Sequence, residues 1–291
     1  MKVKAFAKVN LSLEILRLRE DGYHDVTTLL QTVDLSDDLY LEEFPNIQVD
    51  CSIPELAGSK NLVYKAATIL QEEFGYKFGA KIYIRKNIPV SMGLGGGSSD
   101  AAAALVGLNH LWGINVSRST LEVIARKVGV DVAFFVTGGT ALAVGRGDEI
   151  NSINEPVSLW VLLVCPNFLI ESKTSVLYSM VKPNLFTHGK ITRDLSLFVG
   201  DPLKLTEGLF NVFEPLAYDV FDGLNKVADD MRKAGIESVH LSGTGPCLYS
   251  FVDDQHQGML IREQLAQLGH MVHLVETTES SSLLTLGQSN N

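Results

Sequence analysis

Apolar residues alternate along the first part of the chain. In "KVNLSLEILRLREDGYHDVTTLLQTVDL", Leu11, Leu13 and Ile15 fall on every second position, the period of a strand with a buried face. Asp21 and Gly22 interrupt the pattern before a second strand-like run, so a hairpin is expected with Tyr23 and His24 just past its turn. The period lengthens in "KNLVYKAATILQEEFG", where Leu62, Ala66, Ile69 and Leu70 predict a helix closed by Gly75. "KIYIRKNIPV" reads as a strand halted by Pro89. From Ala101 onward, Leu105, Leu108 and Trp112 hold a helical spacing until Gly113. "TLEVIARKVG" predicts an amphipathic helix, and "GVDVAFFVTGGTALAVGRGDEI" a turn, a buried segment and a strand closing a first domain near residue 153.

Beyond that point "LWVLLVC", Leu159 to Cys165, is far shorter than the roughly 20 apolar residues of a membrane helix and predicts a buried strand. Helical patterns in "LFNVFEPLAYDVFDGLNKVADDMRKAG" alternate with strand-like "SVHLSGTGPCLYSFV" and "MVHLVE". Strands and helices mixed without regular βαβ repeats predict an α+β protein. A size of about 150 residues per domain suggests two domains, 1–153 and 154–291. The segment "ETTESSSLLTLGQSNN" is expected to be a frayed polar tail from about residue 277.

Composition narrows the function. With 24 Lys and Arg against 34 Asp and Glu, the net charge is -10, which opposes binding to nucleic acid or an anionic membrane. Cys51, Cys165 and Cys247 are far apart and form no CxxC pair, and no secretory h-region follows Lys2, Lys4 and Lys8. Cytoplasmic residence is expected, and oligomeric state is left unassigned. His110, His188, His240, His256, His270 and His273 make no close ligand pattern, so no tightly bound transition metal is expected.

The chemistry concentrates in "SMGLGGGSSDAAAA", Ser91 to Ala104. Bare glycines running into a helix let a ligand touch backbone N–H groups at its positive end, an arrangement suited to phosphate. A dinucleotide loop, GxGxxG, fits Gly93 and Gly95 but needs glycine where Ser98 stands. A P-loop needs lysine before Ser or Thr, and none lies between Asn87 and Arg126. A tight strand-to-helix turn with Ser98 or Ser99 as N-cap is the plainer alternative. Against it, three consecutive glycines weaken a fold by about 0.5–1 kcal/mol each relative to alanine.

"IPVSMGLGGGSSDAAAA" resembles the central motif of the GHMP kinases, Pro-x-x-x-Gly-Leu-Gly/Ala-Gly/Ser-Ser-Ser before a small-residue helix. "AFAKVNLSLEI" at 5–15 and "LSGTGPCLYSFV" at 241–252 are similar to the first and third motifs of that family. Together with "DGYHDVTTLLQTVDL", "KNLVYKA" and "GVDVAFFV", they resemble most closely the branch acting on a cytidine diphosphate-linked methylerythritol. The resemblance implies a ribosomal-protein-S5-like N-terminal domain, a ferredoxin-like C-terminal domain and an active site in the cleft between them. It implies transfer of the ATP γ-phosphoryl group, with Mg²⁺, to a tertiary hydroxyl.

Residue by residue, the resemblance assigns the triphosphate to Pro89, Val90, Ser91, Met92, Gly93, Leu94, Gly95, Gly96, Gly97, Ser98 and Ser99, and the adenine to Asn61, Leu62 and Lys86. Lys8 and Asp131 are the implied catalytic pair. Asn10, Tyr23, His24, Tyr178, Gly243, Thr244 and Gly245 are the implied acceptor contacts, Tyr178 being the aromatic that stacks on cytosine. Each has a plainer reading: Asn61 as a helix cap, Leu62 as core, Lys8 and Lys86 as surface lysines, Tyr23 and His24 as a hairpin tip, and 243–245 as a turn. Asp131, set among Val130, Val132 and "AFFV", is expected to be at least partly buried. Asp100 is expected to cap the helix or to help hold Mg²⁺ through water. Val130 and Ala133 stand where the family usually shows Ala and Pro. Another small-molecule kinase or a decarboxylase of the family, acting on a mevalonate-type substrate or homoserine, and a non-catalytic nucleotide-binding relative remain alternatives.

Overall fold

The computed structural model describes residues 1–155, 157–166, 173–279 and 282–285. It opens with the expected hairpin, in which β1 (Lys2–Leu18) and β2 (His24–Phe44) pair antiparallel from Leu18 opposite His24 back to Lys2 opposite Tyr40. Gly22 takes φ 83°, the left-handed turn that glycine tolerates. Register shifts at Phe6/Ala7, Asn10/Ser12 and Ile15/Arg17 coil these long strands.

The chain then forms β3 (Gln48–Cys51), α1 (Leu62–Phe74), β4 (Gly79–Arg85), α2 (Gly96–Leu111), α3 (Arg118–Val128), α4 (Val132–Thr137), β5 (Thr140–Gly145) and β6 (Glu149–Ile153). A second group follows: β7 (Trp160–Cys165), α5 (Lys173–Met180), α6 (Lys190–Ser196), α7 (Pro202–Glu207), β8 (Phe210–Asn211), α8 (Glu214–Val220) and α9 (Leu224–Lys233). It closes with β9 (His240–Leu241), β10 (Leu248–Val252), α10 (Gln255–Gln267), β11 (Met271–Glu276) and β12 (Ser282–Thr285).

One sheet runs β12-β1-β2-β4-β3, with β5 on β2, β6 on β5 and β8 parallel to β1. The other runs β11-β7-β10-β9. The α+β expectation holds. The described part of the tail does not fray as expected: Thr278 N–H donates to the Thr32 carbonyl at 2.9 Å, and residues 282–285 pair with 2–5 as β12, while 280–281 and 286–291 lie outside the described residues. The open edge of β1 recruits this backbone, which polarity alone did not foretell.

Three apolar clusters hold the two sheets. Helices α1 to α4 bury their faces on the first sheet, and a second cluster gathers α8, α9 and β10. The third joins Val9 and Leu11 of β1 and Met92 and Leu94 of the glycine loop to Leu163 and Tyr249 of the second sheet. The glycine loop is therefore clamped between both halves.

Helix α2 starts at Gly96, five residues ahead of Ala101, and Gly95 at φ 73° is its N-cap in place of Ser98 or Ser99. The left-handed Gly95 turns its carbonyl to accept the Ser99 N–H at 2.9 Å, which admits the glycines into the first turn. Ala101, Ala102, Ala103 and Ala104 are all buried where α2 crosses between the sheet, α1 and α4. Small residues permit that close approach, and larger ones there would force strain. Ala102→Leu is expected to destabilise by about 1–3 kcal/mol, read as a lower urea midpoint with an unchanged slope.

Candidate active site

A cleft of about 1360 Å³ opens along the glycine loop, the hairpin tip, α5 and the loop before β10. Its geometry follows from one carbonyl. The Gly93 oxygen accepts the Lys8 ammonium at 2.7 Å and the Ser242 hydroxyl at 3.0 Å, so all three motifs meet on it. The backbones interlock as well: Lys8 N–H donates to Leu94, and Cys247 N–H to Met92, at 3.0 and 3.2 Å. A Cβ on Gly93 would stand 2.1 Å from the Ser242 carbonyl oxygen, and glycine is the residue that fits.

Lys8 is buried, contrary to its surface reading, and donates a second bond to Asn10 Oδ1. The Asn10 amide donates in turn to the Thr28 hydroxyl at 2.9 Å. Burial lowers the Lys8 pKa, and the charge of Asp131 works against that shift. Asp131 is exposed on the cleft, which corrects the burial expected for it. It occupies the N-cap of α4, yet its carboxylate caps nothing and makes no ion pair with Lys8. The turn lifts residue 131 to the rim while the apolar residues after it, Val132 to Val136, go into the core. An unspent carboxylate thus faces the cleft with a lysine behind it.

The eleven residues assigned to triphosphate divide. Pro89 to Ser98 line the cleft, with Met92 and Leu94 mainly in the core beneath. Ser99 does not: it is buried, and its hydroxyl donates to the Phe6 carbonyl at 2.6 Å, pinning α2 to β1. Gly95 is required by Phe135, 2.5 Å from where its Cβ would be, and Gly96 lies against Ile88 and Lys86. Gly97 is different, because a Cβ there would meet nothing within 4 Å. The protein's own packing gives no reason for glycine at 97, whereas an anion approaching the first turn of α2 does.

Lys86 and Asp100 depart from their expected places. Lys86 turns its ammonium inward to Asp37 and Asp100, at 2.5 and 2.6 Å, and is nearly buried, so it is no free adenine contact. Burial opposes its charge, but the two carboxylates outweigh that and raise its pKa. Burial pushes Asp100 well above the usual carboxylate range, with Lys86 opposing. Asp100 Oδ2 is thus paired with Lys86 at the base of the loop, while Oδ1 finds no partner and the residue borders the cleft. Asp37 also accepts the Asn87 and Ile88 N–H groups, so the triad anchors the entry to the glycine loop. Asn61 caps α1 through Val63 and donates to the Leu56 carbonyl; with half-buried Leu62 it lines one end of the cleft.

At the opposite end, the His24 ring lies 5.3 Å from Tyr178, which packs edge-on against Phe213 at 4.7 Å. Burial, then the charge of Asp131, pushes the Tyr178 hydroxyl up to about 12, so it stays protonated. Tyr23 is exposed with the Arg146 guanidinium 5.5 Å from its ring centre. Gly243 and Thr244 line the cleft. Gly245 does not: its N–H is spent on the Ser242 carbonyl at 2.8 Å and its carbonyl accepts Lys173. Arg146 and Lys173 were missed by the sequence reading. Arg146 had a signal in its Gly-Arg-Gly turn, whereas Lys173 belongs to no motif.

Among the described residues no three His, Cys, Asp or Glu side chains cluster as a metal cage, and no helix is long and apolar enough to cross a membrane.

Comparison with known proteins agrees with this architecture. Residues 61–139 match the GHMP kinases N terminal domain and 196–270 the GHMP kinases C terminal domain. A 4-diphosphocytidyl-2-C-methyl-D-erythritol kinase of Bacillus cereus (strain B4264) is 38% identical over 256 residues, 86% of this chain and 87% of the relative. A crystal structure of 4-(cytidine 5'-diphospho)-2C-methyl-D-erythritol kinase superposes with a TM-score of 0.82 at 30% identity, over 95% of this chain and 99% of that one. Homoserine kinase from Cytophaga hutchinsonii shares the fold, with a TM-score of 0.73 at 17% identity over 97% and 96% of the two chains. The two matched domains, in a chain whose three motifs close on one carbonyl, make this protein a member of the GHMP kinases.

Proposed function

We propose that this protein transfers the γ-phosphoryl group of ATP to the 2-hydroxyl of 4-diphosphocytidyl-2-C-methyl-D-erythritol, a step toward isoprenoid precursors. The observation that carries the reading is the union of two features in one cleft. Lys8 and Asp131 flank an anion-ready glycine loop, and His24 against Tyr178 forms an aromatic wall at the other end. The names of the relatives at 38% and 30% identity support the substrate. The division near residue 153 belongs to the same proposal, with β8 and β12 returning to the first sheet.

In this reading, N–H groups from Gly93 to Ser98 and the positive end of α2 hold the triphosphate, and Asn61 and Leu62 lie on the adenine side. Tyr178 and His24 take the cytosine, base stacking on an aromatic being worth about 1–3 kcal/mol. Asp131 accepts the hydrogen bond of the acceptor hydroxyl and lies where its proton goes as the oxygen bonds to the γ-phosphorus. The bond to the β–γ bridging oxygen breaks and ADP leaves. Lys8, fixed by Asn10 and Gly93, stabilises the charge gathering on the transferring group. With no metal cage among the described residues, Mg²⁺ would be held chiefly by phosphate oxygens and water, with the Ser98 hydroxyl of the glycine loop a further oxygen on the cleft. When bound it would offset charge on the β- and γ-phosphates.

ADP release with Mg-ATP tests the reading directly. The cytidine-linked alcohol is expected to support turnover, while mevalonate, phosphomevalonate and homoserine are not; the reverse preference would discard it. Asp131→Asn is expected to lower kcat by about 10²- to 10⁴-fold while the ATP Kd stays within about threefold. Near-normal turnover in that variant would remove Asp131 from the chemistry. Gly97→Ala separates packing from ligand contact, since alanine favours a helix and meets no neighbour there. Its thermal midpoint is expected to hold or rise while the ATP Kd increases about tenfold or more; unchanged ATP affinity would place the triphosphate elsewhere.

A further inference from the structure

Lys173, the first residue of α5, is nearly buried, and its ammonium donates to the Gly245 carbonyl. No carboxylate pairs with it among the described residues. Its charged neighbour is Lys8, of the same sign, while the nearby Cys247 thiol is held neutral because burial raises its pKa. A buried cation without an anion is costly, and because Lys173 lines the cleft, negative charge entering there would relieve that cost.

Its position along the cleft says which anion. Tyr178, on the same helix, reaches His24 at the aromatic end. Thr174, next to Lys173, meets the Thr244 hydroxyl at 3.0 Å and ties α5 to the third motif. Beyond them lie Gly243 and Lys8; a Cβ on Gly243 would come within 3.1 Å of the Lys8 ammonium. The order is therefore aromatic wall, Lys173, then Lys8. In a nucleoside diphosphate-linked alcohol the order is base, diphosphate, then the carbon bearing the hydroxyl.

We infer that Lys173 is a specificity-determining residue that binds the diphosphate of the acceptor substrate, as distinct from the triphosphate of ATP. The inference rests on the function proposed above. Burial, reinforced by repulsion from Lys8, brings the Lys173 pKa down to about 8, and an arriving diphosphate restores full charge. The two lysines then divide the work, Lys8 at the transferring phosphoryl group and Lys173 at the acceptor's own phosphates. Acceptors without a phosphate at that distance from their hydroxyl leave Lys173 unpaired, which discriminates against them.

The test is calorimetric titration of ADP-saturated protein with CDP and with cytidine. Wild type is expected to prefer CDP by at least about tenfold, or 1.4 kcal/mol. Lys173→Met is expected to lose that preference to within about threefold while its affinities for cytidine and ADP stay within about threefold. Lys173→Arg is expected to keep the preference. Lys173→Gln, which can still donate to the Gly245 carbonyl but carries no charge, carries the same expectation as the methionine variant and replaces it should that variant fail to bind ADP. A variant that keeps the CDP preference overturns the inference and leaves the proposed function intact. Equal weakening of CDP and cytidine would reduce Lys173 to a support for the third motif and also overturn it. Wild type that binds neither CDP nor cytidine would overturn the function and the inference together.

Discussion

The carbonyl of Gly93 is the point on which the rest of the site depends. It receives Lys8 from β1 and Ser242 from the loop before β10, two segments more than two hundred residues apart. A lysine buried this deeply would be driven out by desolvation unless its donors found fixed acceptors. Gly93 and Asn10 supply them, and the cluster joining Val9, Leu94 and Tyr249 keeps them in place. Loop conformation, lysine position and the apposition of the two sheets are thus one arrangement, and disturbing any of them disturbs all three.

Charge is handled economically in a protein of net charge -10. Three buried or nearly buried lysines lie at the cleft, and they meet two different fates. Lys86 is neutralised by Asp37 and Asp100, and so stiffens the chain entering the glycine loop. Lys8 and Lys173 have carbonyl and amide acceptors but, among the described residues, no carboxylate partner. In the proposed reaction that difference matters: the paired lysine shapes the loop, and the two unpaired ones are left for phosphate. An anion site built from backbone N–H groups and a few desolvated lysines does not require a basic surface.

Much of this was legible in the sequence because local rules and global fold agree there. The hairpin turn at Asp21–Gly22, the α1 caps at Asn61 and Gly75 and the buried strand at 160–165 each follow from nearby residues. Bringing Lys8 to the glycine loop came from family resemblance, since no spacing rule links positions 8 and 93. Asp131 was misjudged because apolar neighbours imply burial only when the backbone does not turn outward, and here it stands at a helix start. Ser99 and Gly245 lie within motifs yet face away from the cleft, which a motif cannot reveal. Lys173 lacked any signal, because its meaning lies in the third-motif carbonyl that it meets across the fold. The stretch 282–285 of the polar tail was misread for a similar reason, as its partner is the edge of β1.

The central claim is that a phosphoryl group and an acceptor hydroxyl meet at Lys8 and Asp131, above the Gly93 carbonyl. A crystal structure with a non-hydrolysable ATP analogue and the cytidine-linked alcohol tests it most directly. The account predicts the β- and γ-phosphates within hydrogen-bond reach of N–H groups between Gly93 and Ser98, and the acceptor hydroxyl about 2.6–3.2 Å from the Asp131 carboxylate, facing the γ-phosphorus. A triphosphate bound away from the first turn of α2, or a hydroxyl pointing away from Asp131, would contradict it.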